Sequence, residues 1–359
     1  MTLQFTQNVL TSRKRMTTTP DYLTLWPDDE PSVDISSKSR FTWRPRAKEL
    51  GIEPKATPEL LAELAATGCI DGIQKLTVSE WSKTMSGLPV LPESIAASLA
   101  EVQIGNSTFI DWSELYALPA LQRLVLDEKV SVLPDGIGAL KNLVHLEIRG
   151  KRLKELPADL DALTSLRELV IVNSPIKALP EKLGELPLER LYLSWTKKLK
   201  SLPEGLGSCK TLRQLETISV PLKSLPDELY SSEALEVLSI EGAKLSNLGP
   251  RLACPNLRVL NLSGGFKLWP PEVILPKLEE FCVAAGSKIT TLPDVYTSNL
   301  KHISVHASLE SIDPRFAQIE NWSRGRSRMG VMLSCTEAAL EALSEEERAA
   351  FAGRLKAWR

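Results

Sequence analysis

The chain has 359 residues, 43% hydrophobic and 25% charged, with a formal net charge of −2. That composition fits an ordinary soluble globular protein; it supplies no global basic field for nucleic acid, and no run approaches the ~18 apolar residues of a membrane span. The five cysteines, Cys69, Cys209, Cys254, Cys282 and Cys335, are scattered, odd in number and without a CxxC pair, which speaks against a disulfide framework or a zinc site and for a reducing compartment.

Residues 1–40 are rich in Ser, Thr, Pro and charge, and read as a disordered leader. The first twenty residues hold no apolar run long enough for a secretory signal, and either Met1 or Met16 serves as the start. Residues 41–72 read as an N-terminal helical cap: Thr57 is placed to cap a helix, Pro58 suits its first turn and Gly68 its end.

A repeat then takes over, from 73 to 315. The pattern LxxLxL occurs at Ile73/Leu76/Val78, Leu99/Val102/Ile104, Leu121/Leu124/Leu126, Leu143/Leu146/Ile148, Leu166/Leu169/Ile171 and Leu188/Leu191/Leu193. It continues at Leu212/Leu215/Thr217, Leu235/Leu238/Ile240, Leu257/Leu260/Leu262, Leu278/Phe281/Val283 and Leu300/Ile303/Val305, making eleven copies spaced 21 to 26 residues apart. A second phrase, Leu-Pro, recurs every 23 residues at Leu133, Leu156, Leu179, Leu202 and Leu225, and Leu248-Gly249 extends the series. Alternation within LxxLxL predicts a short strand with one buried face. Proline, lacking an amide hydrogen, stops the ladder, and an acid after it suits the first turn of a short helix. One such unit cannot bury its leucines alone, so neighbours must stack into a solenoid.

The run LPxxLxxLxxLxxLxL resembles the leucine-rich-repeat superfamily, and its 23-residue spacing resembles the repeats of bacterial effector proteins and of intracellular plant proteins. The resemblance implies an α/β fold: a right-handed solenoid with a parallel concave β-sheet and short helices or turns on the convex side. It also implies a protein-protein interaction module, possible roles being a bacterial effector or regulator, the substrate-recognition part of a ubiquitin-ligase-like effector, or an intracellular scaffold or inhibitor. A family asparagine three residues past the strand is missing throughout; Ser174, Thr196, Val220 and Ala243 stand there instead. Those turns must satisfy their backbone by water or by another backbone path. Residues 316–359 read as a C-terminal cap, with a strand-like stretch at 330–335, a capping box at Ser344 and Glu347, and a helical stripe of Phe351, Leu355 and Trp358.

The third, fifth and seventh strand positions point away from the core. On them, Val170, Val172, Tyr192 and Ile218 form an apolar centre with Trp195 at its rim, ringed by Arg149, Glu168, Arg190, Glu216 and Glu241. An aromatic centre within a charged ring is how protein interfaces are built, so these ten residues are expected to bind a protein partner. A catalytic role is not expected. Cys282 with His302 and Glu280 is the best nucleophile grouping, but it sits on an open face without oxyanion donors. Cys69-Ile70-Asp71 matches the nucleophile motif of one ligase class, where it sits in a helical domain after the repeats; here it precedes them, and Cys69 is expected to be a buried cap residue. No cofactor, metal, nucleic acid or membrane span is expected. The chain is expected to act as a monomer, either in the cytoplasm or secreted as an effector without a classical signal peptide.

Overall fold

In the computed structural model, the described residues are 23–27, 47–52, 72–78, 88, 90–105, 111–127, 130–133, 135–319, 332–351 and 355–357, with backbone alone at 23–27, 47–52, 78, 332 and 356–357. The helix expected over 57–68, Cys69 and Trp358 of the expected C-terminal stripe lie outside them. The chain divides into two units, Met1–Leu166 and Arg167–Arg359.

In the first unit four copies of the motif form the strands Lys75–Val78, Glu101–Ile104, Arg123–Leu126 and His145–Arg149. They pair in parallel, each motif position beside the same position of the next: Leu76 beside Val102, Val102 beside Leu124, Leu124 beside Leu146. This register keeps every inward side chain on one spine, since a one-residue slip would turn all of them outward. The row extends backward, because Ala47–Ile52 pairs in parallel with Lys75–Val78 and puts Leu50 beside Leu76. Leu23–Pro27 adds an antiparallel strand outside that one. Both added strands fall in segments read from sequence as leader and helical cap.

In the second unit the other seven copies form Glu168–Val172, Arg190–Ser194, Gln214–Ile218, Val237–Leu245, Val259–Gly264, Glu280–Val283 and His302–Leu309. These too are parallel and in register, so Leu169, Leu191, Leu215, Leu238, Leu260, Phe281 and Ile303 form one row. All seven are fully buried. Burying a leucine-sized side chain contributes about 1.5–3 kcal/mol, so this row supplies much of what holds successive coils together.

Behind the strands, the Leu-Pro steps do what their chemistry predicts. Glu181–Glu185, Glu204–Ser208 and Asp227–Ser231 are 3-10 helices that start directly after Pro180, Pro203 and Pro226, each with an acid in the first turn. Leu183, Leu206 and Leu229 face inward from them. The first two of these helices approach so closely that a β-carbon on Gly184 would overlap the Gly205 carbonyl. At Leu248-Gly249-Pro250 the 3-10 helix is replaced by the small parallel pair Leu252–Ala253 and Val273–Ile274. Gly249 is needed there because it has φ +70° and the buried Tyr230 ring lies against it.

One row was not anticipated. The residue after the first leucine of each motif alternates in sign down the second unit: Arg167, Glu189, Arg213, Glu236, Arg258, Glu279, Lys301. Each donates its amide hydrogen to the carbonyl of the one before, at 2.8–2.9 Å. Ion pairs join Arg167 to Glu189 (2.5 Å), Arg213 to Glu236 (2.5 Å), Arg258 to Glu279 (2.6 Å) and Lys301 to Glu279 (2.8 Å). Arg258 and Lys301 together hold the Glu279 carboxyl down to about 2.

At the C-terminal end, Met332–Cys335 pairs in parallel with His302–Leu309. The capping box forms as read: the Ser344 hydroxyl accepts from the Glu347 amide, and the Glu347 carboxylate accepts from the Ser344 amide. The expected single helical stripe does not form. The helix Glu345–Ala350 stops before the buried Phe351, and Leu355–Ala357 becomes a strand beside Leu333–Cys335. An exposed sheet edge offers unpaired backbone groups, and three residues of strand satisfy them where a helix would not.

Candidate functional site

The open face of the second unit is built from the third, fifth and seventh positions of its strands. The register sets Val170 beside Tyr192 and Tyr192 beside Glu216; on the next row Val172 lies beside Ser194, Ser194 beside Ile218 and Ile218 beside Glu241. Tyr192, Val172 and Ile218 are half-buried, whereas Val170 is only 9% exposed and Ser194 is buried. The apolar centre is thus smaller than the sequence pattern suggests, because a small serine separates Val172 from Ile218. Arg190 bridges the rows: its Nη2 lies 3.1 Å from Glu216 Oε1, and its guanidinium carbon lies 5.7 Å from the Tyr192 ring centre. Glu168 lies beside Arg190 in the register, and Glu241 is exposed at the end of its strand row.

Trp195 comes from the turn that follows its strand. Two residues past the last inward strand position, successive coils adopt left-handed backbone: Asn173 (φ +54°), Trp195 (+56°), Ser219 (+56°) and Gly242 (+72°). Asn173, Trp195 and Ser219 donate their amide hydrogens to the carbonyls of Ser194, Ile218 and Glu241 on the next strand, at 2.7–2.9 Å. In these three coils the turn amide is satisfied by backbone alone, without an asparagine side chain. Glycine and asparagine adopt left-handed backbone readily; a bulky indole does not, at a cost of about 1–2 kcal/mol. The Trp195 side chain is also 50% exposed, with Lys197 Nζ 5.1 Å from its ring centre. Sequence reading found Trp195 by its aromaticity but had no signal for its backbone.

Arg149 belongs to the first unit, whose open face is a charge network. Glu147 is only 8% exposed and accepts from Arg149 at 2.6 Å, with Arg123 and His145 each at 3.5 Å; Arg149 also lies 3.9 Å from Asp127.

The grouping of Cys282, His302 and Glu280 comes together only in part. Glu280 lies beside His302, and Cys282 lies beside Ser304. Burial, then the carboxylates of Glu280 and Glu241, push the Cys282 thiol up to about 12, so it is held as thiol at neutral pH, the form that is not nucleophilic. Among the described residues no cluster of His, Cys, Asp or Glu could hold a metal ion, and no helix is long and apolar enough to cross a membrane. A groove of about 550 Å³ opens along the alternating row, lined by Glu189, Arg213, Glu236 and Arg258 among others, and each of these four is engaged in an ion pair of that row.

Three solved structures are similar to parts of this chain. The Toll chain of a Drosophila Toll–Spatzle complex is similar over 77% of this chain and 43% of that one, with 15% identity and a TM-score of 0.56. A leucine-rich-repeat protein of Leptospira interrogans is similar over 82% and 91%, with 18% identity and a TM-score of 0.43. The plant peptide hormone receptor RGFR1, solved with RGF2, is similar over 76% and 52%, with 18% identity and a TM-score of 0.46. The likeness to the Toll chain, at 15% identity, concerns the fold alone, and this chain spans less than half of it. No curated protein matches the sequence. The leucine-rich repeat region family matches residues 99–312. With a strand at every copy of the motif within that span, the chain belongs to the leucine-rich-repeat family.

Proposed function

We propose that this protein works without catalysis, by holding a protein partner on the open face of its second unit. Tyr192 and Trp195 are the anchors; Val172 and Ile218 give apolar contact, and Glu168, Arg190, Glu216 and Glu241 give the polar rim. The observation that carries this reading is Trp195: a bulky aromatic kept in left-handed backbone and half exposed, so that it strains the fold without being packed into it. Such strain is retained where function requires it, and exposed aromatics of this kind dominate interface energies.

The test is capture of a partner by the wild-type chain, followed by titration of that partner against Tyr192→Ala/Trp195→Ala. We expect affinity to fall by two orders of magnitude or more, about 3 kcal/mol; an unchanged affinity would remove the assignment. The role of bacterial effector rests on the spacing of the repeats and the composition of residues 1–40. It predicts that about thirty leading residues fused to a reporter are delivered by a secretion system; retention of the fusion would favour an intracellular scaffold or inhibitor acting in the cytoplasm.

A further inference from the structure

The turns that leave the strands of the second unit carry a second feature. Over six consecutive coils, the segments 173–179, 195–201, 219–225, 242–248, 264–270 and 284–292 contain eight lysines, namely Lys177, Lys197, Lys198, Lys200, Lys223, Lys244, Lys267 and Lys288, and no Asp, Glu or Arg. All eight are exposed, and among the described residues none pairs with a carboxylate. The segments stack: the Lys223 amide donates to the Lys200 carbonyl at 3.1 Å, and the Ser246 amide to the Lys223 carbonyl at 3.4 Å. Leu268 stands at the same place in its coil as Lys177 and Lys223, six residues past the last inward strand position, and is 80% exposed. With strands ~4.8 Å apart, the row runs about 24 Å before Glu310 ends it.

We propose that this row docks on an anionic lipid bilayer, the lysines lying over headgroups and Leu268 entering the acyl boundary. Paired charges cost little to keep; eight like charges side by side repel one another and need a counter-charge. The chemistry favours a bilayer over other polyanions. Carboxylate and phosphate groups recognised one by one call for the bidentate fork of arginine, which the row lacks, whereas lysine is a hydrated point charge suited to a diffuse field. An almost fully exposed leucine within the row has no use on a phosphate backbone but is an anchor at a lipid surface. None of the eight lysines is a contact of the proposed protein partner, although Lys197 lies against the Trp195 ring.

The test is sedimentation of the full chain with vesicles of phosphatidylcholine alone or with about 30% phosphatidylserine. We expect binding to the anionic vesicles alone, lost as salt rises from about 50 to about 300 mM. Lys177→Gln/Lys200→Gln/Lys223→Gln should weaken it on the order of 100-fold, and Lys200→Gln by itself about fivefold, which keeps the test open if the triple variant misfolds. Leu268→Ser should weaken binding about tenfold without altering its salt dependence. Equal binding to both vesicle types, no binding at low salt, or an unaffected triple variant would overturn the proposal. So would capture of polyglutamate or a single-stranded oligonucleotide through the same lysines while vesicles stay unbound.

Discussion

The two long borders of the second unit's sheet handle charge in opposite ways. Along the upstream border, where the strands begin, seven residues from Arg167 to Lys301 alternate in sign, and their backbones form one hydrogen-bonded line. Along the downstream border, lysines stand beside lysines, the turns adopt left-handed backbone at Trp195 and Ser219, and Leu268 protrudes. The first border satisfies its own groups. The second leaves charge, strain and apolar surface that the fold does not use, and sites of that kind are where binding is carried.

The sharpest way to break this contrast is to make the upstream border resemble the downstream one. Glu189→Lys/Glu236→Lys/Glu279→Lys would place seven cations in line, losing four ion pairs and creating repulsion between neighbours. Exposed pairs are worth 0.2–1 kcal/mol each and like-charge contacts cost similar amounts, so urea unfolding should show a loss of about 3 kcal/mol, reduced by salt. Next in size, Trp195→Asn should relieve the left-handed strain: stability should rise by about 1 kcal/mol while partner binding falls. A loss of stability instead would mean that the indole supports the fold.

Smaller still is the acid dependence of the upstream row. Because the Glu279 carboxyl is depressed to about 2 in the folded chain, its contribution is fully present above the ordinary carboxylate range and is lost as pH falls from about 4.5 toward 2. Glu279→Gln should flatten that part of the melting curve below pH 4.5 and be felt least at the most acid end. The smallest effect is expected downstream, where Lys177→Gln/Lys200→Gln/Lys223→Gln should change stability by less than about 0.5 kcal/mol, because none of these lysines holds a carboxylate.

Much of this molecule was legible in its sequence because the repeat imposes one periodicity on every coil. All eleven motif copies became strands that begin at the third position, since only that registration buries the leucines. The short helices after proline were legible for the same local reason. Other features were not. Val170 is buried and Ser194 lies between two apolar residues because of what their cross-strand neighbours cover, and no single strand contains that information. The left-handed turn at Trp195 runs against the residue's own preference, so propensity pointed away from it. The alternating row was readable, one residue past each leading leucine, but only when positions some 22 residues apart are compared by sign. The C-terminal stripe misled because Phe351 and Leu355 fit helical spacing, whereas the open edge of Met332–Cys335 captured Leu355–Ala357 as a strand.

The alternating row gives the array a parity. Excising any single coil from its middle would set cation against cation or anion against anion at the splice, whereas excising two adjacent coils would restore opposite neighbours. A chain marked in this way can lengthen or shorten in pairs of coils more readily than singly, and a coil stacked one place out of order meets a like-signed neighbour.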